Sequence, residues 1–385
     1  SIINEDKQKK DLKRKNMKIK LKNTPEQVEL IKAMGSKDKT VAIEAQQAFA
    51  DFIGPVVQKV LNLAASSAGI YVDWPYDEDD TPSFPLDQFY ATNVNEVQVW
   101  QQNMPGGLGT SLVTGLQELL ISTYRLDTAV SLLKKTVRRG RLPYVSLALN
   151  RMAQELLRKQ ERNAWLVILR ALAEATTGGN RHHIAATTAS TLQLDDFNRL
   201  LTRSKRINVA FDGAGTPDAM FSKGATDMWM SPEMTEEIRS FVYEPMNTRA
   251  VPNQDESTAM PLPDNLRERI YQAGGLAEVY GIVLHELNEL GTARRYNHIF
   301  AQFVAAGSAP GGGDFAVAND EVLVSIDLSR DALIRPIAKN ADSGSEVVAQ
   351  VDDQWTSRAD QIGWFLQLEE GRLCADSRAL TGLVV

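Results

Sequence analysis

The chain has 385 residues, of which 43% are hydrophobic and 24% are charged, and its net charge is −7. This balance is typical of a folded, soluble protein and argues against an intrinsically disordered chain. The one cysteine, Cys374, excludes a disulfide within the chain. No apolar run approaches the roughly 20 residues of a membrane-spanning helix, and no secretory signal precedes the first charges. We therefore expect a cytoplasmic protein of two or three structural units.

The first 22 residues are strongly basic, with nine lysines and arginines against three acids, whereas the remainder is acidic. A solvated tail is the common role of such a segment, and contact with nucleic acid or an acidic partner is the alternative. The residues assigned to that contact, with DNA or a scaffold, are Lys13, Arg14, Lys15, Lys18 and Lys20. Met17 resembles a translation start, so we hypothesise that residues 1–16 are an upstream extension.

Helical patterning follows the tail. A cap, a proline and an acid at Thr24–Glu26 predict a helix start, and the pattern continues to about Ala65 with a break at Gly35–Ser36. Residues 71–89 then carry three prolines and a run of five acids within residues 73–80. This composition predicts an extended, solvated loop, because the ligand spacing of a calcium-binding loop is missing.

A long hairpin is predicted next. Alternation at residues 95–99 indicates one strand, and residues 119–130 offer a returning strand. Its tip is assigned to Pro105, Gly106, Gly107 and Gly109. A two-stranded hairpin has little core and is marginal alone, so we expect this one to lie on a neighbouring subunit.

Residues 143–175 form the longest helix candidate, since Pro143 suits a first turn and the next glycine pair is Gly178–Gly179. At about 1.5 Å per residue the helix would be roughly 45–50 Å long. Its apolar stripe recurs at three- and four-residue steps, and a sheet or another layer must cover it. The stripe residues assigned to the core are Leu149, Met152, Leu156, Val167 and Ile168.

The remaining chain alternates short helices and strands. The predicted elements are a helix entered at Asp195 or Asp196, strands at 207–211 and 227–232, and a helix capped by Ser231. Residues 353–385 predict two or three antiparallel strands with a turn at Gly371.

No catalytic constellation emerges from the motifs. HELNELG at 285–291 lacks the second histidine of a zinc protease helix, which leaves His285, Glu286 and Glu289 as a hydrolase alternative. GSAPGGGD at 307–314 lacks the Lys-Ser/Thr of a phosphate loop and predicts a flexible exposed loop. The basic run at 134–141 lacks interleaved aromatic residues and predicts a solvated face. We assign no catalytic residue, no metal site and no cofactor.

Four stretches in this order carry a resemblance to a known family. They are MWMSPEMTEEIRSF (228–241), AGGLAEVYGI (273–282), DEVLVSIDLSRDALIRPI (320–337) and DQIGWFLQLEEGRLCADSRAL (360–380). Together with the arm, hairpin and long helix, they resemble the major capsid proteins of tailed bacteriophages. These proteins have the Hong Kong 97-type fold, which encapsulins and the floor of herpesvirus capsids share.

The resemblance implies an α+β protein in four parts. These are an N-terminal arm (1–66), an E-loop region with the hairpin (67–130), a peripheral domain with the long spine helix (131–182 and 341–385) and an axial domain (183–340). It also implies a structural protein, not an enzyme, that assembles in the host cytoplasm and ends in the virion.

Its expected partners are copies of itself, in hexamers and pentamers of an icosahedral head shell. Portal, scaffold and decoration proteins, and non-specifically the packaged double-stranded DNA, are expected too, without a membrane. The alternatives are an encapsulin-like compartment shell and the metal-dependent hydrolase.

Overall fold

The computed structural model describes residues 19, 24–85, 118–177, 179–209, 224–240, 278–340, 344–352 and 360–385. The α-helices are α1 (Pro25–Met34), α2 (Lys39–Ala64), α3 (Lys134–Arg138), α4 (Leu142–Glu174), α5 (Leu194–Val209), α6 (Pro232–Ser240) and α7 (Arg295–Phe303). The strands up to the middle of the chain are β1 (Val72–Asp77), β2 (Ser83–Pro85), β3 (Glu118–Leu120), β4 (Tyr124–Leu133), β5 (Thr176–Thr177), β6 (Asn180–Arg181), β7 (His183–Ala185) and β8 (Asp227–Met230). Those that follow are β9 (Glu278–Val279), β10 (Ile282–Glu286), β11 (Val322–Ile326), β12 (Leu333–Lys339), β13 (Val347–Asp352), β14 (Gln361–Glu370), β15 (Leu373–Cys374) and β16 (Leu380–Val384). The predicted α+β class is confirmed.

The chain divides into two compact units. Unit 1 contains Ser1–Pro85, Gln117–Ala164 and Leu333–Leu373, and unit 2 contains Leu86–Leu116, Trp165–Ala332 and Cys374–Val385. The division falls within α4, whose residues up to Ala164 belong to unit 1. The four domain boundaries inferred from the resemblance stay a prediction.

Unit 1 is built on a sheet in which β14 is the central strand. β14 pairs antiparallel with β4 along its whole length and with β13 on its other edge, and β12 continues the sheet to a parallel β1. Ile362, Trp364, Leu366 and Leu368 alternate along β14, so all four side chains point to one face and are buried. Helices α1, α2 and α4 contribute the apolar residues that cover this face.

Unit 2 is built on a second sheet with the strand order β7-β16-β11-β8-β10-β9. Every residue of β11 and of β16 is buried, as expected for strands covered on both faces. Trp165 of α4 lies 5.9 Å from Trp229 and 5.8 Å from Tyr296, measured between ring centroids. A Cβ at Gly382 would lie 2.8 Å from Leu172 Cδ2, so a larger residue at this position would displace the Leu172 side chain.

Several predicted elements are confirmed. Helices α1 and α2 form the arm and break at Gly35–Ser36, while α4 spans 142–174 against the expected 143–175. The Met234 backbone N–H donates to Ser231 Oγ at 3.1 Å, as expected for the cap of α6.

The interpretation of residues 71–89 as a loop is wrong for Val72–Asp77, which form β1, and for Ser83–Pro85, which form β2. Trp74 and Tyr76 are half-buried, and the residues between them are exposed. Among the described residues β1 pairs with β12 alone, and Pro75 is tolerated in such an edge strand. Asp73, Pro75 and Asp77 occupy exposed positions of this strand.

Other expectations need correction. Residues 207–209 of the strand expected at 207–211 end helix α5, and the returning strand expected at 119–130 is split into β3 and β4. The expected flexible exposed loop at 307–314 has buried residues at Ser308 and Ala309, and Arg181 Nη1 donates to Ser308 Oγ at 2.8 Å. The last strands do not form one hairpin, since β14 lies in the unit 1 sheet and β16 in the unit 2 sheet.

Candidate assembly surface

The two ends of segment 86–117 are held side by side in unit 1. β2 and β3 pair antiparallel, with Pro85 opposite Glu118 and Ser83 opposite Leu120. The Ile121 backbone N–H extends the pairing by donating to the Pro82 carbonyl at 3.1 Å. We call this pair, with residues 121–124 that follow it, the loop base.

Apolar packing anchors one side of the loop base. Phe84 of β2 is 2% exposed, and its ring meets Trp74 of β1 edge-on at a centroid distance of 5.6 Å. Ile121 is also buried. Leu120, by contrast, is 70% exposed and presents a large apolar side chain to solvent at the end of β3.

Hydrogen bonds to Glu369 anchor the other side. The hydroxyls of Thr123 and Tyr76 both donate to Glu369 Oε1, at 2.8 and 3.0 Å. Burial raises the pKa of Tyr76 to about 12, and the charge of Glu369 adds to the rise. Tyr76 therefore stays protonated and remains a donor at neutral pH.

Glu370 is fully buried and links four elements of unit 1. Its Oε1 accepts from Tyr124 Oη at 2.9 Å. Its Oε2 accepts from Arg335 Nε at 2.8 Å, Gln160 Nε2 at 3.1 Å and Arg372 Nη2 at 3.2 Å. Burial raises the pKa of Tyr124 to about 12, with the charge of Glu370 as the next cause. A buried carboxylate with this many donors is stable only as a complete set, because removing one ion-pair partner commonly costs about 3–5 kcal/mol.

The same network reaches the end of the arm. Arg372 lies over the Tyr71 ring with its guanidinium carbon 4.6 Å from the centroid, and Tyr71 Oη donates to the Ala164 carbonyl at 2.7 Å. The Ser67 backbone N–H and hydroxyl donate to Glu161 at 3.1 and 2.8 Å. The segment after α2 is thereby fixed to α4.

Gly371 allows the loop base to approach β14 and β12 closely. A Cβ at this position would lie 2.8 Å from Pro336 Cγ and 3.2 Å from the Ser122 carbonyl oxygen. Neither neighbour is the far end of a flexible side chain, so a larger residue would displace the backbone at 121–124.

The residues assigned from sequence do not meet in one place. Leu149, Met152 and Leu156 are buried in the unit 1 core, Ile168 is buried in unit 2, and Val167 is half-buried. The hairpin tip residues lie outside the described residues, as do the basic residues assigned to the arm: Pro105, Gly106, Gly107, Gly109, Lys13, Arg14, Lys15, Lys18 and Lys20.

One residue within the basic arm is described. The Ile19 backbone N–H donates to Asn150 Oδ1 at 2.8 Å, and its carbonyl accepts from Asn150 Nδ2 at 2.9 Å. The chain at Ile19 is thus bound to the first turns of α4.

Sequence reasoning missed the residues that build the loop base. Arg335 interrupts an otherwise apolar strand, and a charge in such a strand is a signal of a buried ion pair. Tyr124 and Glu370 carry no comparable local signal.

His285, the histidine of the hydrolase alternative, makes contacts with Asp227 and Trp229. His285 Nε2 is 2.8 Å from Asp227 Oδ1, and the imidazole stacks on Trp229 at a centroid distance of 4.7 Å. Within the described ranges, no three His, Cys, Asp or Glu side chains gather as a metal site. The helices of those ranges likewise include none that is long and apolar enough to cross a membrane.

Two adjacent histidines are buried in unit 2. His182 Nδ1 lies 2.8 Å from the Ser377 carbonyl and 3.1 Å from the Leu380 carbonyl, so the neutral ring must carry its proton on Nδ1. His183 Nε2 is 3.1 Å from Ser308 Oγ. Burial lowers the pKa of both histidines, because it penalises the charged ring.

Of the comparisons with known proteins, the one with solved structures found similarities. No family model matches the chain, and no curated protein does. The structure of Microbacterium phage Oxtober96 is 13% identical, with 83% of this chain and 90% of that chain covered and a TM-score of 0.47. The mature capsid of bacteriophage PhiM1 is 10% identical, with coverages of 83% and 86% and a TM-score of 0.48. The SrpI encapsulin complex of Synechococcus elongatus PCC 7942 is 11% identical, with coverages of 69% and 74% and a TM-score of 0.38. All three TM-scores are below 0.5.

Proposed function

We propose that this chain is the major capsid protein of a tailed phage, which self-assembles into the icosahedral head shell around double-stranded DNA. The single observation that carries the proposal is the loop base, which holds the two ends of segment 86–117 side by side and is hydrogen-bonded to Glu369 and Glu370. A shell subunit needs a projection, because each copy must make head-to-tail contacts that close into rings.

The sequence of the insertion supports a role between subunits. Its predicted hairpin would be marginal alone, and packing on a second copy would supply the missing core. The proposed contact residues at its tip are Pro105, Gly106, Gly107 and Gly109. Shell interfaces of this kind bury on the order of 2,000 Å² or more, which a long projection provides.

The packing and hydrogen bonding of unit 1 support a structural role in the shell. Leu149, Met152 and Leu156 of α4 belong to the same apolar core as the buried residues of β14, and the Glu370 network joins the same helix to the loop base. We propose that unit 1 contains most of the peripheral domain (131–182 and 341–385) and unit 2 most of the axial domain (183–340), with hexamers and pentamers formed around the latter.

The basic arm supports contact with an anionic partner. Lys13, Arg14, Lys15, Lys18 and Lys20 flank Ile19, and we propose that they face DNA or a scaffold on the inside of the shell. The acidic remainder of the chain would limit non-specific adhesion to packaged phosphate, because such binding depends on lysine and arginine.

Deletion of residues 105–109 tests the hairpin's role. We expect the subunit to remain folded, because the loop base and both cores lie elsewhere, and we expect closed shells to be lost. Thermal unfolding and negative-stain electron microscopy would measure the two properties separately. A same-length replacement with glycine and serine is the control for length, and normal shells from the deletion would contradict the assignment.

The contents of the particles separate the phage shell from the encapsulin alternative. Nuclease-resistant DNA inside particles made in the native host supports the phage head. A single packaged enzyme in place of DNA would favour the compartment shell.

A further inference from the structure

A basic surface of unit 1 is built from two segments that are distant in the sequence. Residues 32–39 include the corner between α1 and α2, and residues 134–141 include α3 and the turn into α4. Together they contain eight lysines and arginines and one acid, Asp38, in a chain whose net charge is −7. The cations are Lys32, Lys37, Lys39, Lys134, Lys135, Arg138, Arg139 and Arg141. We call these two segments the basic corner.

Close packing joins the two segments. Arg138 Nε donates to the Gly35 carbonyl, and a Cβ at Gly35 would lie 3.0 Å from the Arg138 backbone nitrogen. Gly140, whose φ is +63°, lies against the Lys32 side chain, because a Cβ at Gly140 would be 3.3 Å from Lys32 Cε. The basic corner is therefore one continuous surface of unit 1.

The charges of the basic corner have few acidic neighbours. Asp38 caps α2, because its Oδ1 accepts from the Thr40 backbone N–H at 3.2 Å. Within the described ranges, no carboxylate forms an ion pair with an exposed cation of the corner. Like charges held close together repel one another, so a bound polyanion would stabilise this surface. The exposed cations are Lys32, Lys37, Lys39, Lys135, Arg138, Arg139 and Arg141.

The chemistry of the basic corner favours the phosphate backbone of duplex DNA over an acidic protein segment. Met34 and Val137, the large apolar residues of the two segments, are fully buried, so an acidic peptide would find charge but no apolar anchor. Neither segment contains an aromatic residue, whereas proteins that bind single strands stack the bases on aromatic rings. A duplex backbone is bound by lysines and arginines without regard to base sequence.

The basic tail is attached at the same end of α4 as the basic corner. The Ile19 backbone is bound by Ser146 and Asn150 in the first turns of α4, and this helix begins one residue after Arg141. In the sequence, Ile19 belongs to the strongly basic first 22 residues. The attachment point of the tail and the basic corner therefore lie near each other in unit 1.

We propose that the basic corner is a docking surface for the phosphate backbone of duplex DNA, and that this face of unit 1 lies on the inner wall of the shell. The placement on the inner wall rests on the proposed shell function, in which packaged duplex is the polyanion that a subunit meets. The corner adds contacts on the folded body to those proposed for the arm.

The test is the triple variant Lys135→Gln, Arg139→Gln and Arg141→Gln, which removes three exposed cations and keeps the contact between Arg138 and Gly35. Fluorescence anisotropy would measure binding of the purified chain to two duplexes of unrelated sequence over a range of salt. Each phosphate contact contributes about one unit to the slope of log Kd against log salt concentration. The slope should therefore decrease by about 3, equally for both duplexes.

The matched control is Arg158→Gln, Lys159→Gln and Arg162→Gln, which removes the same charge from exposed positions of α4 within unit 1. It should change the slope by less than about 1. A second control, Lys135→Arg with Arg139→Lys and Arg141→Lys, retains the charge and should retain the native slope. All variants keep the basic tail, so its contribution to binding is common to them. Their thermal midpoints should match the native value, because the substituted residues are exposed.

Equal decreases in slope from the basic corner variant and the α4 control would overturn the inference. Native DNA binding by the corner variant, combined with lost binding to polyglutamate, would also overturn it and would indicate an acidic protein partner. Either result leaves the proposed function intact, since shell formation by the native chain is measured separately by electron microscopy. A native chain that binds duplex through the corner but never assembles would overturn the proposed function and the placement on an inner wall, whereas the DNA-binding surface would stand.

Discussion

At the level of single residues, His182 and His183 are held without charge in unit 2. The His182 ring donates from Nδ1 towards two backbone carbonyls, and His183 contacts Ser308 and the edge of the Phe300 ring. Both arrangements suit the neutral form of the imidazole ring. A second proton on either ring would create a buried positive charge.

Acid should therefore destabilise unit 2. The folded pKa of His182 is lowered, so the unfolded chain binds a proton first, and the unfolding free energy decreases as the pH falls below about 6.5. His182→Asn, whose amide can replace the Nδ1 donor, should flatten this dependence. Denaturant midpoints measured between about pH 7 and 5 would show it, with His298→Asn at an exposed position as control. An equal slope in native protein and His182→Asn would contradict the assignment.

Single residues also differ in whether their structural role can be predicted from the sequence. Ser231 was recognisable because a cap and its helix are adjacent in sequence. Glu370 was not, because its partners Arg335, Gln160 and Tyr124 lie 35, 210 and 246 positions away. The partners of Glu370 come together only when the sheet of unit 1 has formed.

At the level of elements, α4 was predictable nearly to the residue, since its period and length are local properties. β1 was not, because three positions in Val72–Asp77 are occupied by acids or proline. Val72–Asp77 forms a strand because it pairs with β12, which is distant in the sequence. The split between β3 and β4 has the same origin, since each strand joins a different partner.

The stripe of α4 provides a test of the unit 1 core. Leu156 is 4% exposed, so Leu156→Ala should leave a cavity and lower the unfolding free energy of unit 1 by about 2–5 kcal/mol. Leu147 is 50% exposed on the same helix, and Leu147→Ala should change it by less than about 0.5 kcal/mol. Hydrogen exchange of unit 1 peptides in denaturant would measure both. Equal effects of the two substitutions would contradict the burial of the stripe.

At the level of the whole molecule, each unit has its own sheet and core, and both units draw on residues distant in sequence. Apolar side chains such as Leu120, Phe52 and Leu147 are about half or more exposed. In the proposed shell, neighbouring copies would cover part of this surface. The sequence suggested this assembly through the order of its parts, whereas the carboxylates that hold the loop base became visible in the folded chain.

Electron microscopy of the purified chain is the most direct test of shell assembly. At high protein concentration and across a range of salt, we expect closed shells of uniform diameter built from five- and six-membered rings. A folded protein that stays monomeric under all of these conditions would contradict it.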